Sequence, residues 1–242
     1  MSFRAVLPRL VLGAAFAADV LGLATTVGRA AGETDALPAY VGTALTHFSP
    51  APPPGWSYTV TVRRGDHASV ESFDPTRPPG QQWLLQLTDG RPPTASEVDR
   101  YARFRESTNA AVAPRAAFER GDLDLAHAAV VKRDDDGVTL LCDFRGDIAD
   151  PTLAHLELLV RVARATATVS STLLRLKAPY SPVFSMKMEA LEVETVYGPA
   201  SEPDLAVPVT IVSRFRGSVF WFWSVSEDLR LSYAEYRRAA SH

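Results

Sequence analysis

Residues 217–228, GSVFWFWSVSED, set four aromatic side chains in a row: Phe220, Trp221, Phe222 and Trp223. Their aromatic and β-branched composition predicts a strand. Side chains of a strand alternate between its two faces, so Phe220 and Phe222 would point one way and Val219, Trp221, Trp223 and Val225 the other. Both faces are then apolar. An antiparallel sheet ordinarily buries one face and wets the other, so such a strand is expected to be covered twice or to line a cavity on its second side.

The segments around this stretch are almost unbroken strand: LELLVRV, TVSSTLLRLK, FSMKMEALEVETVYG, AVPVTIVSRFRG and DLRLSYAEYR. The links between them are too short for parallel crossovers, so the sheet is expected to be an antiparallel meander. Within it, Met186 and Met188 alternate with Lys187 and Glu189, after which the apolar phase slips to Leu191 and Val193. A β-bulge at Ala190-Leu191 accounts for the slip.

The first half of the chain is mixed. Residues 35–48 space Leu37, Tyr40, Val41, Leu45 and Phe48 as one face of a helix, which the SPAPPPG cluster stops. WSYTVTVRR, SVESFD and QWLLQLTD read as three strands. Thr94 followed by Glu97 is a capping-box pattern that opens a helix of about five turns through Ala113. ERGDLDLAH starts a further short helix, and Asp136-Gly137 joins two strands as a hairpin, with Gly137 supplying a positive φ. The fold class is therefore α+β: a curved antiparallel sheet with one wet face and an apolar, concave face that the helices would cover.

Residues 1–32 stand apart. Arg4 and Arg9 precede a Leu, Val, Ala and Gly run that ends in small residues, the layout of a secretory signal peptide, interrupted by Asp19. The expected organisation is a signal peptide at 1–32 and a single domain at 33–242, exported to the periplasm. No later apolar run reaches the length of a membrane span. The net charge of -3 and the absence of any Lys/Arg block give no surface for nucleic acid. Cys142 is the sole cysteine, so no intrachain disulfide forms.

A Trp-rich opening hairpin followed by the phrases FDPTRPPGQQWLLQLTDGRPPT, FRGD, RLKAPYSPVFSMKMEALEVE and RGSVFWFWSVSEDLRLSYAEYR, together covering roughly Trp56 to Arg237, resembles exported bacterial proteins similar to the periplasmic lipoprotein-carrier superfamily of LolA and LolB. The resemblance implies an open half-barrel of roughly nine to eleven strands whose apolar hollow is lidded by two or three helices on the concave side and holds acyl chains. It carries over the hollow, not the cargo.

The candidate ligand-binding residues are Trp56, Tyr58, Trp83, Leu85, Met186, Met188, Phe220 and Phe222, or the alternate register of the same strands. Met supplies an adaptable surface and the aromatics a smooth wall; the same residues would serve equally as a filled core. Asp122, Asp124 and His127, and Asp134, Asp135 and Asp136, lack the spacing of a metal loop and read as a helix start and a solvated turn. His47, His67, His127, His155 and His242 lie far apart and give no zinc spacing. No nucleophile elbow is present, Cys142 reads as a buried thiol, and Glu192 and Glu194 sit on a wet face. No catalytic residue, cofactor or metal is expected. The sequence supports a non-enzymatic binding protein for a lipid, acyl chain or lipidated partner, or else a structural or sensory envelope module without a ligand; it sets no oligomeric state.

Overall fold

The computed structural model describes residues 37–107, 118–147, 152–200, 205–220 and 222–239. The expected signal peptide lies outside the described residues, as does the end of the helix that starts at Thr94.

Eleven strands form one open antiparallel sheet. They are β1 (Trp56–Arg64), β2 (His67–Phe73), β3 (Trp83–Thr88), β4 (Ala129–Asp134), β5 (Gly137–Cys142), β6 (Leu156–Ala163), β7 (Thr168–Leu176), β8 (Tyr180–Val183), β9 (Met186–Pro199), β10 (Ala206–Val219) and β11 (Trp223–Arg238). Their order across the sheet is β3-β2-β1-β11-β10-β9-β7-β6-β5-β4, with β8 paired to β9 at one end. The simple meander thus holds only from β4 to β11. The last strand then pairs with the first, and β3 and β4, consecutive in the chain, stand at opposite edges.

Register makes one face continuous. Tyr58 pairs with Phe73 and Phe73 with Trp83; Val60 pairs with Tyr233; Ile211 with Leu231; Leu191 with Phe215; Leu158 with both Leu174 and Cys142. Antiparallel partners share a face, so this apolar row runs from one edge of the sheet to the other. The opposite face carries a row of alternating sign, in which Glu157, Arg175, Glu192, Arg214 and Asp228 are successive cross-strand neighbours over five strands. Arg175 bonds Glu157 at 2.5 Å and Arg214 approaches Glu192 at 3.7 Å. A one-residue slip in any of these strands would swap a charge for a buried side chain, so the row fixes register more than it adds stability.

Two helices lie over the apolar face. In α1 (Ala39–His47), Val41, Ala44, Leu45 and the following Phe48 are buried at helical spacing, and Phe48 meets Tyr197 edge to face at 5.6 Å. α2 (Ala95–Ser107) opens on the expected capping box: Thr94 N–H donates to Glu97 Oε2 at 2.7 Å and Glu97 N–H to Thr94 Oγ1 at 3.4 Å. The short helix expected near His127 is instead two 3₁₀ turns, Arg120–Asp122 and Leu125–His127.

Three local expectations are corrected. Residues 219–225 are not one strand: β10 ends at Val219, β11 begins at Trp223, those two residues form the last pair of the hairpin, and Phe220 sits in the turn with φ 52°. The aromatic row therefore has no second face to cover. The bulge in β9 falls one residue earlier than expected, because Ala190 pairs with Arg216 and Met188 with Gly217, leaving Glu189 as the extra residue. Gly137 is not in the left-handed region. It is required for another reason: a Cβ built there would lie 2.0 Å from the Val162 carbonyl oxygen of β6.

Candidate functional site

The buried face divides into two clusters. One spans β5–β10 beneath α1 and includes Met186, Met188, Leu191, Phe215 and Tyr197. The other is an aromatic box at the β1–β3 end, built from Tyr58, Val60, Phe73, Trp83 and Tyr233, with Tyr101 and Tyr236 packed against it. Tyr58 lies 5.2 Å from Phe73, 6.0 Å from Trp83 and 5.4 Å from Tyr236, centroid to centroid.

Of the residues singled out in the sequence, Tyr58 and Trp83 meet in the box. Trp56, buried, precedes Tyr58 on the same side of β1, and Leu85, half-buried, is opposite Glu71 two residues on from Trp83. Met186 and Met188 are buried on the same face of the sheet but belong to the other cluster, with β10 and β11 between them and β1. Phe220 and Phe222 line nothing: they are exposed in the β10–β11 turn.

Tyr233 and Tyr236 were not anticipated because they are three residues apart, a spacing that puts two side chains on opposite faces of a regular strand. Glu235, at φ 56°, lies where the β1–β11 register shifts, and the resulting bulge returns Tyr236 to the box. Its hydroxyl donates to the Pro208 carbonyl at 2.8 Å.

Above the box sits a polar network. Glu71 is buried on β2, and its Oε2 accepts hydrogen bonds from the Tyr101 hydroxyl at 2.9 Å and from the Arg105 guanidinium, both on α2. Ser69 donates to Glu71 Oε1 at 3.1 Å, and Arg105 Nε donates to the Tyr101 hydroxyl at 3.0 Å. The guanidinium carbon lies 4.0 Å from the centroid of Trp83, a cation–π contact inside a largely desolvated site. Burial, then the nearby Glu71 carboxylate, pushes the Tyr101 hydroxyl above the ordinary phenol range.

Two donors in the box have no partner. The Tyr58 hydroxyl and Trp83 Nε1 are both buried and make no hydrogen bond among the described residues. Burial, reinforced by Tyr233 and Tyr236, pushes the Tyr58 hydroxyl well above its usual range, so it remains a neutral O–H donor. An orphaned buried donor costs about 1–3 kcal/mol, which an oxygen acceptor from a bound molecule would recover.

Two of the remaining acid candidates, Asp134 and Asp124, are engaged locally. Asp134 is held below its usual range chiefly by Arg161, which bonds it at 2.7 Å, and Asp124 pairs with His127 at 2.8 Å. Cys142 is fully buried on β5, and burial pushes its thiol up to about 12.

No protein-family model matches the chain, and no curated protein matches it. Among solved structures, the chain is similar to a LolA superfamily protein from Nitrosomonas europaea, at 10% identity and a TM-score of 0.34, covering 84% of this chain and 93% of that one. A likeness of this size assigns no ligand and no site residue to the chain. Among the described residues, no helix is long and apolar enough to cross a membrane.

Proposed function

We propose that the protein is an exported, non-enzymatic binding protein that holds a lipid, acyl chain or lipidated partner against the apolar face of its sheet. The observation that carries this reading is the pair of unpartnered donors, Tyr58 Oη and Trp83 Nε1, inside an otherwise apolar aromatic box. A hydrocarbon chain needs only the aromatic walls. A carboxyl or ester oxygen at its end would accept from both donors, and α2 would close over it. The signal-like segment at 1–32 supports export to the periplasm.

A second reading, a structural or sensory envelope module without a ligand, is favoured by the ring contacts themselves, since Phe73 and Trp83 already pack at 5.1 Å. Native mass spectrometry of protein purified from the cell envelope, before and after organic extraction, separates the two. The binding reading expects extra mass of lipid size that extraction removes. A bare chain that also fails to bind a fluorescent fatty-acid analogue overturns it.

Tyr58→Phe gives a sharper readout because the two readings predict different outcomes. It removes an orphaned hydroxyl, so the empty protein should become about 1 kcal/mol more stable in urea unfolding under either reading. Only if the hydroxyl serves a ligand does affinity for the fatty-acid analogue also fall, by roughly tenfold for one lost hydrogen bond. Unchanged affinity would remove Tyr58 from the site.

A further inference from the structure

Phe220, Phe222 and Trp223, together with Phe184, form an exposed tip at one end of the sheet. Phe222 is 83% exposed, Trp223 68% and Phe220 56%, and Phe184, in the neighbouring β8–β9 turn, is 82% exposed. The two turns are tied together, since Phe220 N–H donates to the Ser185 carbonyl at 2.7 Å. Each aromatic side chain offers roughly 150–250 Å². The tip therefore shows several hundred Å² of apolar surface concentrated on two adjoining turns, comparable in size to the largest patch of an ordinary monomer.

The tip itself is uncharged, and the first charges behind it on β9 and β10 are basic. Residues 217–226 and 178–186 contain no Asp, Glu, Lys or Arg. The first charges behind them on β9 and β10 are Lys187 and Arg216, both on the outer face of the sheet. Arg216 has no ion-pair partner among the described residues, and Lys187 stands 3.8 Å from Glu189. On β11 the first charge is Glu227, which Arg64 pairs at 2.8 Å. Strand geometry puts Arg216 about 10 Å behind Val219, the last residue of β10. That matches the depth to which apolar side chains sink at a bilayer surface when basic residues stay with the headgroups.

From this arrangement we propose that the tip formed by Phe184, Phe220, Phe222 and Trp223 docks the protein onto the surface of an anionic lipid bilayer, with these side chains at the headgroup boundary and Lys187 and Arg216 against the phosphates. A second copy is a poorer occupant. A two-fold, tip-to-tip contact would bring Arg216 and Lys187 of one copy toward those of the other. The proposal does not depend on the hollow being loaded.

Flotation of the full chain with phosphatidylglycerol/phosphatidylethanolamine vesicles tests it. The wild type should float with the vesicles and be quenched by brominated lipid. Phe222→Ser/Trp223→Ser should lower partitioning at least tenfold with an unchanged melting temperature, because both side chains are exposed. Lys187→Gln/Arg216→Gln should lower it roughly thirtyfold, and phosphatidylcholine vesicles should bind less wild type. Failure of the wild type to float, or equal flotation of the Phe222/Trp223 variant, overturns the proposal. So does self-association in light scattering, or capture of a single polypeptide in place of vesicles, when the same variant abolishes it. The Phe222/Trp223 variant should still carry any extractable lipid, so loss of docking and an empty hollow give separate results.

Discussion

Gly137→Ala is expected to lower the stability of the protein by about 3 kcal/mol, the upper end of the cost of overpacking. The added methyl would lie 2.0 Å from Val162 O and 3.2 Å from the Cα of Ala163. Both are backbone atoms of the paired strand, which no rotamer change can move aside. Relief requires β5 and β6 to separate, and the adjacent pair, Val138 and Val162, is fully buried. For a chain of this size the loss corresponds to a fall in melting temperature of roughly 6–12 °C. Gly42→Ala supplies the opposite sign. Gly42 is exposed in the middle of α1 with nothing within 4 Å of the new Cβ, and the substitution should add up to about 1 kcal/mol. Thermal unfolding followed by circular dichroism measures both; a shift at Gly137 of less than about 3 °C would mean that the hairpin tolerates a wider strand separation than its geometry allows.

The same glycine shows what local sequence can and cannot say. Asp136-Gly137 marks a hairpin correctly, yet the constraint on Gly137 comes from β6, twenty-five residues later, and no local pattern encodes it. Strands with one wet face were legible because alternation follows from the pleat: MKMEALEVE placed its bulge within one residue. The capping box and the α1 stripe were legible for the same reason, each depending on side chains three or four residues apart. The β1–β11 pairing was not, since it joins Tyr58 to a tyrosine pair about 175 residues away through a bulge at Glu235. Of the five residues that build the aromatic box, only Tyr58 and Trp83 were therefore singled out from the sequence. GSVFWFWSVSED misled for a different reason. Aromatic composition signals a strand because strands bury aromatics, and a turn that exposes them violates the premise. Such violations gather where a surface is used.

Replacing Glu71 with Leu is expected to cost about 3–5 kcal/mol, the penalty for breaking a buried ion pair from one side. The consequences follow from how α2 is held. Among the described residues, Val98 and Phe104 of the helix are exposed at 43% and 38%, and Tyr101 and Arg105 tie it to β2 through the Glu71 carboxylate. Without Glu71, the Arg105 guanidinium remains over Trp83 with its cation–π contact but loses the Glu71 carboxylate, and the Tyr101 hydroxyl loses that acceptor. Solvation of the guanidinium then favours lifting the helix. Amide hydrogen exchange across residues 95–107 should accelerate, and emission from Trp83 should shift to longer wavelength as water reaches the box. The double variant Glu71→Leu/Arg105→Met removes both charges and should recover most of the lost stability, because an apolar pair of similar volume is often no worse than a buried ion pair. A double-mutant cycle with little or no coupling, or unchanged exchange in α2, would show that the helix is held by something other than this network. If the coupling is found, binding of the fatty-acid analogue in the single and double variants separates two roles of the network. Affinity lost in the single variant but kept in the double one means that it only fixes the cover, whereas affinity lost in both means that Arg105 itself meets the ligand.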